Sequence, residues 1–192
     1  MLAAPAAAGA GPGASDKAEI ARVEAYLNRI TTFKGRFLQA SSTGEYSEGS
    51  LYVSRPGKIR IEYDPPSPNL IIADGSSMIH YDKELDQLSY ISLGSSPATI
   101  LIEDKISLTT GGLTVTGIER GRGSLRLTVE KTDDPAEGNL TLVFSDRPLS
   151  LRKWVVVDAL GVETTVSLLG VRFGVPLDDS LFEIPTLPSR DE

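Results

Sequence analysis

Residues 48–93, EGSLYVSRPGKIRIEYDPPSPNLIIADGSSMIHYDKELDQLSYISL, decide the fold. They read as five short strands separated by four turns, and each turn carries Pro, Gly or Asp. The first strand ends in Ser54-Arg55-Pro56-Gly57-Lys58. A second, residues 59–63, runs into the corner Asp64-Pro65-Pro66-Ser67-Pro68. An apolar strand at 70–72 follows, then the turn Asp74-Gly75, a strand at 78–81, a turn at 82–86 and a strand at 87–93. Pro presets a turn backbone and cannot sit inside a sheet, while Gly takes positive φ without steric cost. Strands this short and this closely turned form an antiparallel meander. In the second strand, alternation sets Ile59, Ile61 and Tyr63 against apolar material and Lys58, Arg60 and Glu62 towards water.

Upstream lies a brace. Asp16-Lys17-Ala18-Glu19 resembles a capping box, with Asp16 placed to accept free N–H groups of a first helical turn. Ile20, Val23, Leu27 and Ile30 then recur at helical spacing beside Tyr26, which predicts an amphipathic helix packed on a sheet, with Arg22, Glu24 and Arg29 outward. Residues 32–40 alternate, with Phe33, Gly35 and Phe37 on one strand face. The first fifteen residues, MLAAPAAAGAGPGAS, carry no charge and lack the basic start and leucine-rich centre of a signal peptide. They read as a disordered leader, the kind of tail that follows a removed signal sequence, and residues 16–192 read as one domain.

Downstream, Gly94-Ser95-Ser96-Pro97 is a helix-start signal for a short segment, residues 98–104. Ala98, Ile100, Leu101 and Ile102 crowd most of its circumference, so it must cover something: either it plugs the core or it is a lid over an apolar cavity. The chain then returns to strands at 113–119, 124–131, around 140–144, at 151–158 and at 162–172, broken by Gly-, Asp- and Pro-bearing turns. Residues 178–185 read as a docking turn and a final strand. Ten or eleven strands with two helices fit a sandwich or barrel.

Composition removes several function classes. The chain has 192 residues, a net charge of −7, no Cys and one His, His80. The acidic balance argues against nucleic acid and against an anionic membrane surface. The lack of Cys excludes disulfides, thiolate metal sites and Cys nucleophiles, and a lone His leaves no His-rich metal site. No apolar run is long enough to span a membrane. Asp133-Asp134 and Asp178-Asp179 sit in turns, where solvated Asp is usual, and neither a phosphate loop nor a nucleophile elbow occurs. No catalytic residue, metal or cofactor is expected. Arg55 stands apart: beside a lid, its five donors could hold the lid's carbonyls, although a solvated turn charge is the plainer reading.

The run Gly49-Ser50-Leu51-Tyr52-Val53-Ser54-Arg55-Pro56, then LIIADG at 70–75 and the spaced Tyr81 and Gln87, resemble the periplasmic outer-membrane lipoprotein carrier proteins, the LolA family. EYDPPSPNLIIADG and EGNLTLVFSDRPLSLRKWVVVDALGVET look most like alphaproteobacterial members, and the likeness runs from Ala18 to Pro185. It implies a mainly β (α+β) fold, a strongly curved antiparallel sheet forming an unclosed β-barrel, with an N-terminal helix and a short apolar lid helix over a hydrophobic cavity. It implies a non-enzymatic, monomeric periplasmic chaperone whose cargo is the acyl chains of lipoproteins, with a LolCDE-type inner-membrane transporter and a LolB-type outer-membrane receptor as partners. By the same resemblance Arg55 closes the lid and governs cargo release. Ile59, where the family often carries Phe, lies at the cavity mouth with Ile61 and Tyr63, and Ile100 and Leu101 belong to the lid. A second lid helix is implied in 103–112, where the helical pattern is poor. The alternative on this fold is a lipid-sensing regulatory or lipid-binding domain; such a regulator carries a further C-terminal domain, for which the chain leaves no room. A LolB-like receptor would need an N-terminal Cys, and a hydrolase would need a nucleophile–base pair.

Overall fold

A computed structural model describes residues 13–92, 97–110 and 112–185. The leader expected at 1–15 falls outside the described residues up to position 12, as do the expected helix start at 94–96 and residues 186–192. Helix α1, Ala14–Arg29, begins inside the expected leader. Its N-cap is Gly13, and Asp16 is the third helical residue, whose carboxylate accepts the Gly13 N–H at 3.2 Å. Asp16 is therefore the far half of the capping arrangement and not its first residue. It also pairs with Arg120 at 2.8 Å, and that bond holds its carboxyl below the usual range.

Eleven strands follow: β1 Thr32–Ser41, β2 Tyr46–Ser54, β3 Lys58–Tyr63, β4 Asn69–Asp74, β5 Met78–Asp82, β6 Gln87–Ile91, β7 Leu113–Gly121, β8 Ser124–Lys131, β9 Gly138–Ser145, β10 Ser150–Asp158 and β11 Glu163–Phe173. They form one antiparallel sheet in the order β6-β5-β4-β3-β2-β1-β11-β10-β9-β8-β7. Two meanders, β1–β6 and β7–β11, are thus joined where β1 pairs with β11. Strands β6 and β7 are the two edges and do not pair, so the barrel is unclosed.

Irregularities bend the sheet. Register shifts fall at Lys34/Arg36, Val115/Gly117 and Leu151/Lys153, and such bulges add twist and curvature. Gly35 sits in the first of them: a Cβ there would lie 2.7 Å from Val171 Cγ2, so only Gly lets β1 and β11 meet this closely. Gly49 in β2 serves in the same way, because a Cβ would drive into the Phe37 ring at 2.6 Å and into the Glu62 carbonyl.

Helix α1 lies on the inner face with Ile20, Val23 and Leu27 fully buried. Burying three such side chains is worth roughly 5–8 kcal/mol as an upper bound. That exceeds what a sixteen-residue helix could supply alone, so packing holds it in place. Tyr26 stands edge-on to Phe144 at 5.8 Å, and its hydroxyl oxygen accepts the Leu151 N–H at 2.9 Å. Arg22 reaches Asp146 in the β9–β10 turn at 2.6 Å.

Two readings of the sequence are corrected on the outer face. Residues 179–182 form a 3-10 helix, Asp179–Phe182, with no strand after it among the described residues. It packs across β3 and β4, and Ile184 joins a small cluster built on Leu70, Ile72 and Ile79. Lys58 pairs with Asp179 at 2.7 Å and Arg60 donates to the Leu181 carbonyl at 3.2 Å. The polar face of β3 is therefore half covered and not simply in water.

Candidate functional site

An apolar cavity of about 310 Å³ opens between the inner face of β1–β6 and the connection from β6 to β7. The strands contribute Phe33, Phe37, Ile59 and Ile61, which the alternation read from the sequence places on single strand faces, and with them Leu51 and Val53 of β2. Trp154 of β10 and Val166 of β11 close the far wall. The cover is a 3-10 helix, Pro97–Ile102, which gives Ala98, Thr99, Leu101 and Ile102 to the wall. A two-turn α-helix is not formed. Residues 103–110 continue without a helix, so the second lid helix implied by the resemblance does not occur in them. Ile106 and Leu108 of this stretch are nevertheless buried in the same core.

Polar tethers hold residues 97–110, the covering segment, in place. Arg55, half-buried in the β2–β3 turn, is the centre of them. Its Nε donates to the Glu103 carbonyl at 2.6 Å and its Nη2 to the Asp104 carbonyl at 2.9 Å. On the other side Nη1 donates to the Leu27 and Ile30 carbonyls at 2.7 and 3.0 Å, and Nη2 reaches Asn28 Oδ1 at 3.3 Å. All five acceptors are neutral oxygens. Three belong to the C-terminal end of α1 and its C-cap Ile30, where the helix dipole favours a cation. Burial pulls the guanidinium below its ordinary pKa, while Asp104 and Glu103 oppose that shift.

Three more tethers act beside Arg55. Gly57 N–H donates to the Ile102 carbonyl at 2.7 Å. Asn28 receives the Ile106 N–H at 2.9 Å and donates to the Ile106 carbonyl at 2.8 Å, copying a strand pairing with one side chain. Glu24 Oε1 accepts the Leu108 N–H at 2.6 Å. Glu24 therefore binds the covering segment, where the helical pattern alone placed it outward.

The other singled-out residues distribute as follows. Ile59, Ile61 and Leu101 line the cavity. Tyr63, expected at the cavity mouth, is not among the lining residues and packs beside them: its ring meets Phe37 edge-on at 5.2 Å and its hydroxyl donates to Gln39 Oε1 at 3.0 Å. Ile100, 2 % exposed, packs in the core beside the cavity and not into it. His80 shares a 2.8 Å hydrogen bond with Asn69. Asp178 caps the Ser180 N–H, and Asp133 and Asp134 are exposed. Gln39, Asn28 and Glu24 gave no signal as site residues. Each is a polar residue in an unremarkable position along its element, and only the tertiary fold sets it against the cavity or its cover.

The geometry defines a class: an unclosed antiparallel half-barrel built around an apolar cavity under a polar-tethered cover. The sequence matches the family described as outer membrane lipoprotein carrier protein LolA over residues 28–185, and the chain belongs to that family. The outer-membrane lipoprotein carrier protein of Azotobacter vinelandii is 27% identical over 189 residues, spanning 94% of this chain and 90% of the relative. That of Alkalilimnicola ehrlichii is 31% identical over 190 residues, spanning 88% and 79%. Among solved structures, a LolA superfamily protein from Nitrosomonas europaea superposes with a TM-score of 0.51 at 11% identity, covering 86% of this chain and 97% of the other. At that identity the likeness shows the fold alone.

Proposed function

We propose that this protein is a periplasmic carrier that takes the acyl chains of lipoproteins into its cavity and delivers them to the outer membrane. The observation that carries the reading is the pairing of an apolar cavity with a cover held by polar contacts at its rim. An acyl chain in water is costly, at about 0.8 kcal/mol per methylene returned to an apolar site. A carrier must hide that chain and still release it. The covering segment buries Leu101 and Ile102 where a ligand would otherwise lie, so cover and cargo compete for the same surface. Cargo must favour the open arrangement by more than the closing energy, and this keeps net affinity moderate. Arg55 is the main contributor to that closing energy. The partners that fit the reading are a LolCDE-type inner-membrane transporter as donor and a LolB-type receptor as acceptor.

The test is a two-step transfer assay. Inner membranes bearing a labelled triacylated lipoprotein are incubated with the protein, and the released complex is then mixed with outer membranes. The reading expects a one-to-one complex that passes its label to the acceptor, and an Arg55→Leu protein that folds but loads or delivers poorly. A folded wild-type protein that releases no lipoprotein would overturn it, and normal delivery by Arg55→Leu would remove Arg55 from the mechanism.

A further inference from the structure

We propose that Gln39 and Trp154 form a pair of N–H donors that bind acyl carbonyl oxygens and so fix which end of the ligand lies where. The inference rests on the acyl-chain reading of the cavity and adds a polar recognition element to it.

Both side chains belong to the cavity wall. They also share one row across the sheet: Trp154 pairs with Val166, and Val166 pairs with Gln39. Two strand spacings, roughly 10 Å, separate their backbones. The Gln39 amide oxygen is taken by the Tyr63 hydroxyl, and this fixes the amide with its NH₂ group turned the other way. That NH₂ group has no partner among the described residues, and neither has the Trp154 indole N–H. Arg126 Nε, which stands 3.5 Å from the Glu119 carboxylate, is the sole fully enclosed side-chain polar atom without a hydrogen bond among the described residues. The Gln39 and Trp154 nitrogens therefore keep open surface. A buried Trp N–H normally finds an acceptor, so two unmatched donors beside one apolar space call for acceptors on the ligand.

The chemistry of the acceptor follows from what else lines the cavity. No Lys or Arg is among the lining residues, so a fatty-acid carboxylate would be buried without a counter-charge. An ester or amide carbonyl is neutral, carries lone pairs and heads an apolar chain, which suits neutral donors in an apolar wall. Phe33 lies six residues from Gln39 along β1, roughly 20 Å away, and packs beside Arg55. The carbonyl end of the ligand thus sits at the Gln39–Trp154 row, and the chain runs towards the Arg55 end.

The test compares a diacylglyceryl lipopeptide with its dialkyl ether analogue of equal chain length, which lacks the carbonyls. Wild-type protein should bind the ester form about three- to tenfold more tightly, the effect of one or two neutral hydrogen bonds. Gln39→Leu and Trp154→Phe should each shrink that ratio, and the double variant should bring it to about one while keeping the affinity for the ether. Tyr63→Phe should shrink it partly, because the Gln39 amide loses its anchor. Equal binding of both lipids by wild-type protein overturns this inference alone, as does a ratio that survives in the double variant. Failure of both lipids to bind overturns it together with the acyl-chain reading.

Discussion

Replacing Arg55 by Leu should loosen the covering segment specifically, by an amount the contacts allow us to bound. Five hydrogen bonds are lost, of which two, to the Glu103 and Asp104 carbonyls, bind the covering segment directly. Hydrogen bonds to a charged group contribute about 1.5–3 kcal/mol in shielded places, but these two lie in exposed surroundings, where about 0.5–1 kcal/mol each is the safer figure. Opening of the segment should therefore become easier by about 1–2 kcal/mol, a factor of roughly five to thirty. The three bonds to α1 add a general loss that lowers the melting temperature by about 2–4 °C per kcal/mol in a chain of this length. Native-state amide hydrogen exchange separates the two effects. The Ile106 and Leu108 amides, held by Asn28 and Glu24, report the segment, while β8 and β9 amides report global unfolding. The expected result is five- to thirtyfold faster exchange at Ile106 and Leu108, beyond any change in β8 and β9. Unchanged protection at those two amides in a folded variant would refute the reasoning, and so would a change that merely follows the sheet. Arg55→Lys should behave almost as badly, because a single ammonium cannot span carbonyls on both sides of the turn.

Three other outcomes are expected. Gly49→Val should cost about 1–3 kcal/mol in urea unfolding, since the new side chain enters the Phe37 ring; wild-type stability would show that the β2–β3 approach is looser than described. Leu101→Ala should destabilise the empty protein by about 2–5 kcal/mol yet tighten binding of a triacylated lipopeptide, because Leu101 lines the cavity proposed for the ligand; weaker binding would mean it serves cargo more than closure. The Asp74 carboxyl is held below its usual range first by the Ser77 N–H and then by Ser76. A depressed pKa contributes stability above the unfolded value that is lost as pH falls through the folded one, so the melting temperature should drop below about pH 4. Asp74→Asn, which can still accept from both amides, should flatten that acid limb; an identical limb in the variant would assign it to other carboxylates.

The strands of the first meander were legible because each turn carries its own chemistry: Pro56-Gly57, Pro65-Pro66 and Asp74-Gly75 mark the ends of β2, β3 and β4. The inward set Phe33, Phe37, Ile59 and Ile61 followed from period-2 alternation, and the crowded segment 98–102 announced a cover. Local pattern could not tell the 3-10 helix from an α-helix there, since both bury a short apolar run. What stayed hidden depends on distant partners. Glu24 looks like an outward position on α1 and Asn28 carries no signal of its own, and only the return of residues 106–108 makes them tethers. Arg60 and Lys58 look solvent-facing until Asp179–Phe182 crosses over β3. Gln39 reads as one more residue of a strand, because its meaning comes from Tyr63 on one side and an apolar space on the other.

Trp154 is the sole tryptophan of the chain and stands in the cavity wall, so its emission reports the site directly. The most direct measurement is a fluorescence titration with a triacylated lipopeptide and its deacylated twin. The account predicts a saturable change in Trp154 emission at one equivalent of the acylated form and none with the twin. Equal responses to both, or no response to either from folded protein, would contradict it and leave residues 97–102 as ordinary core.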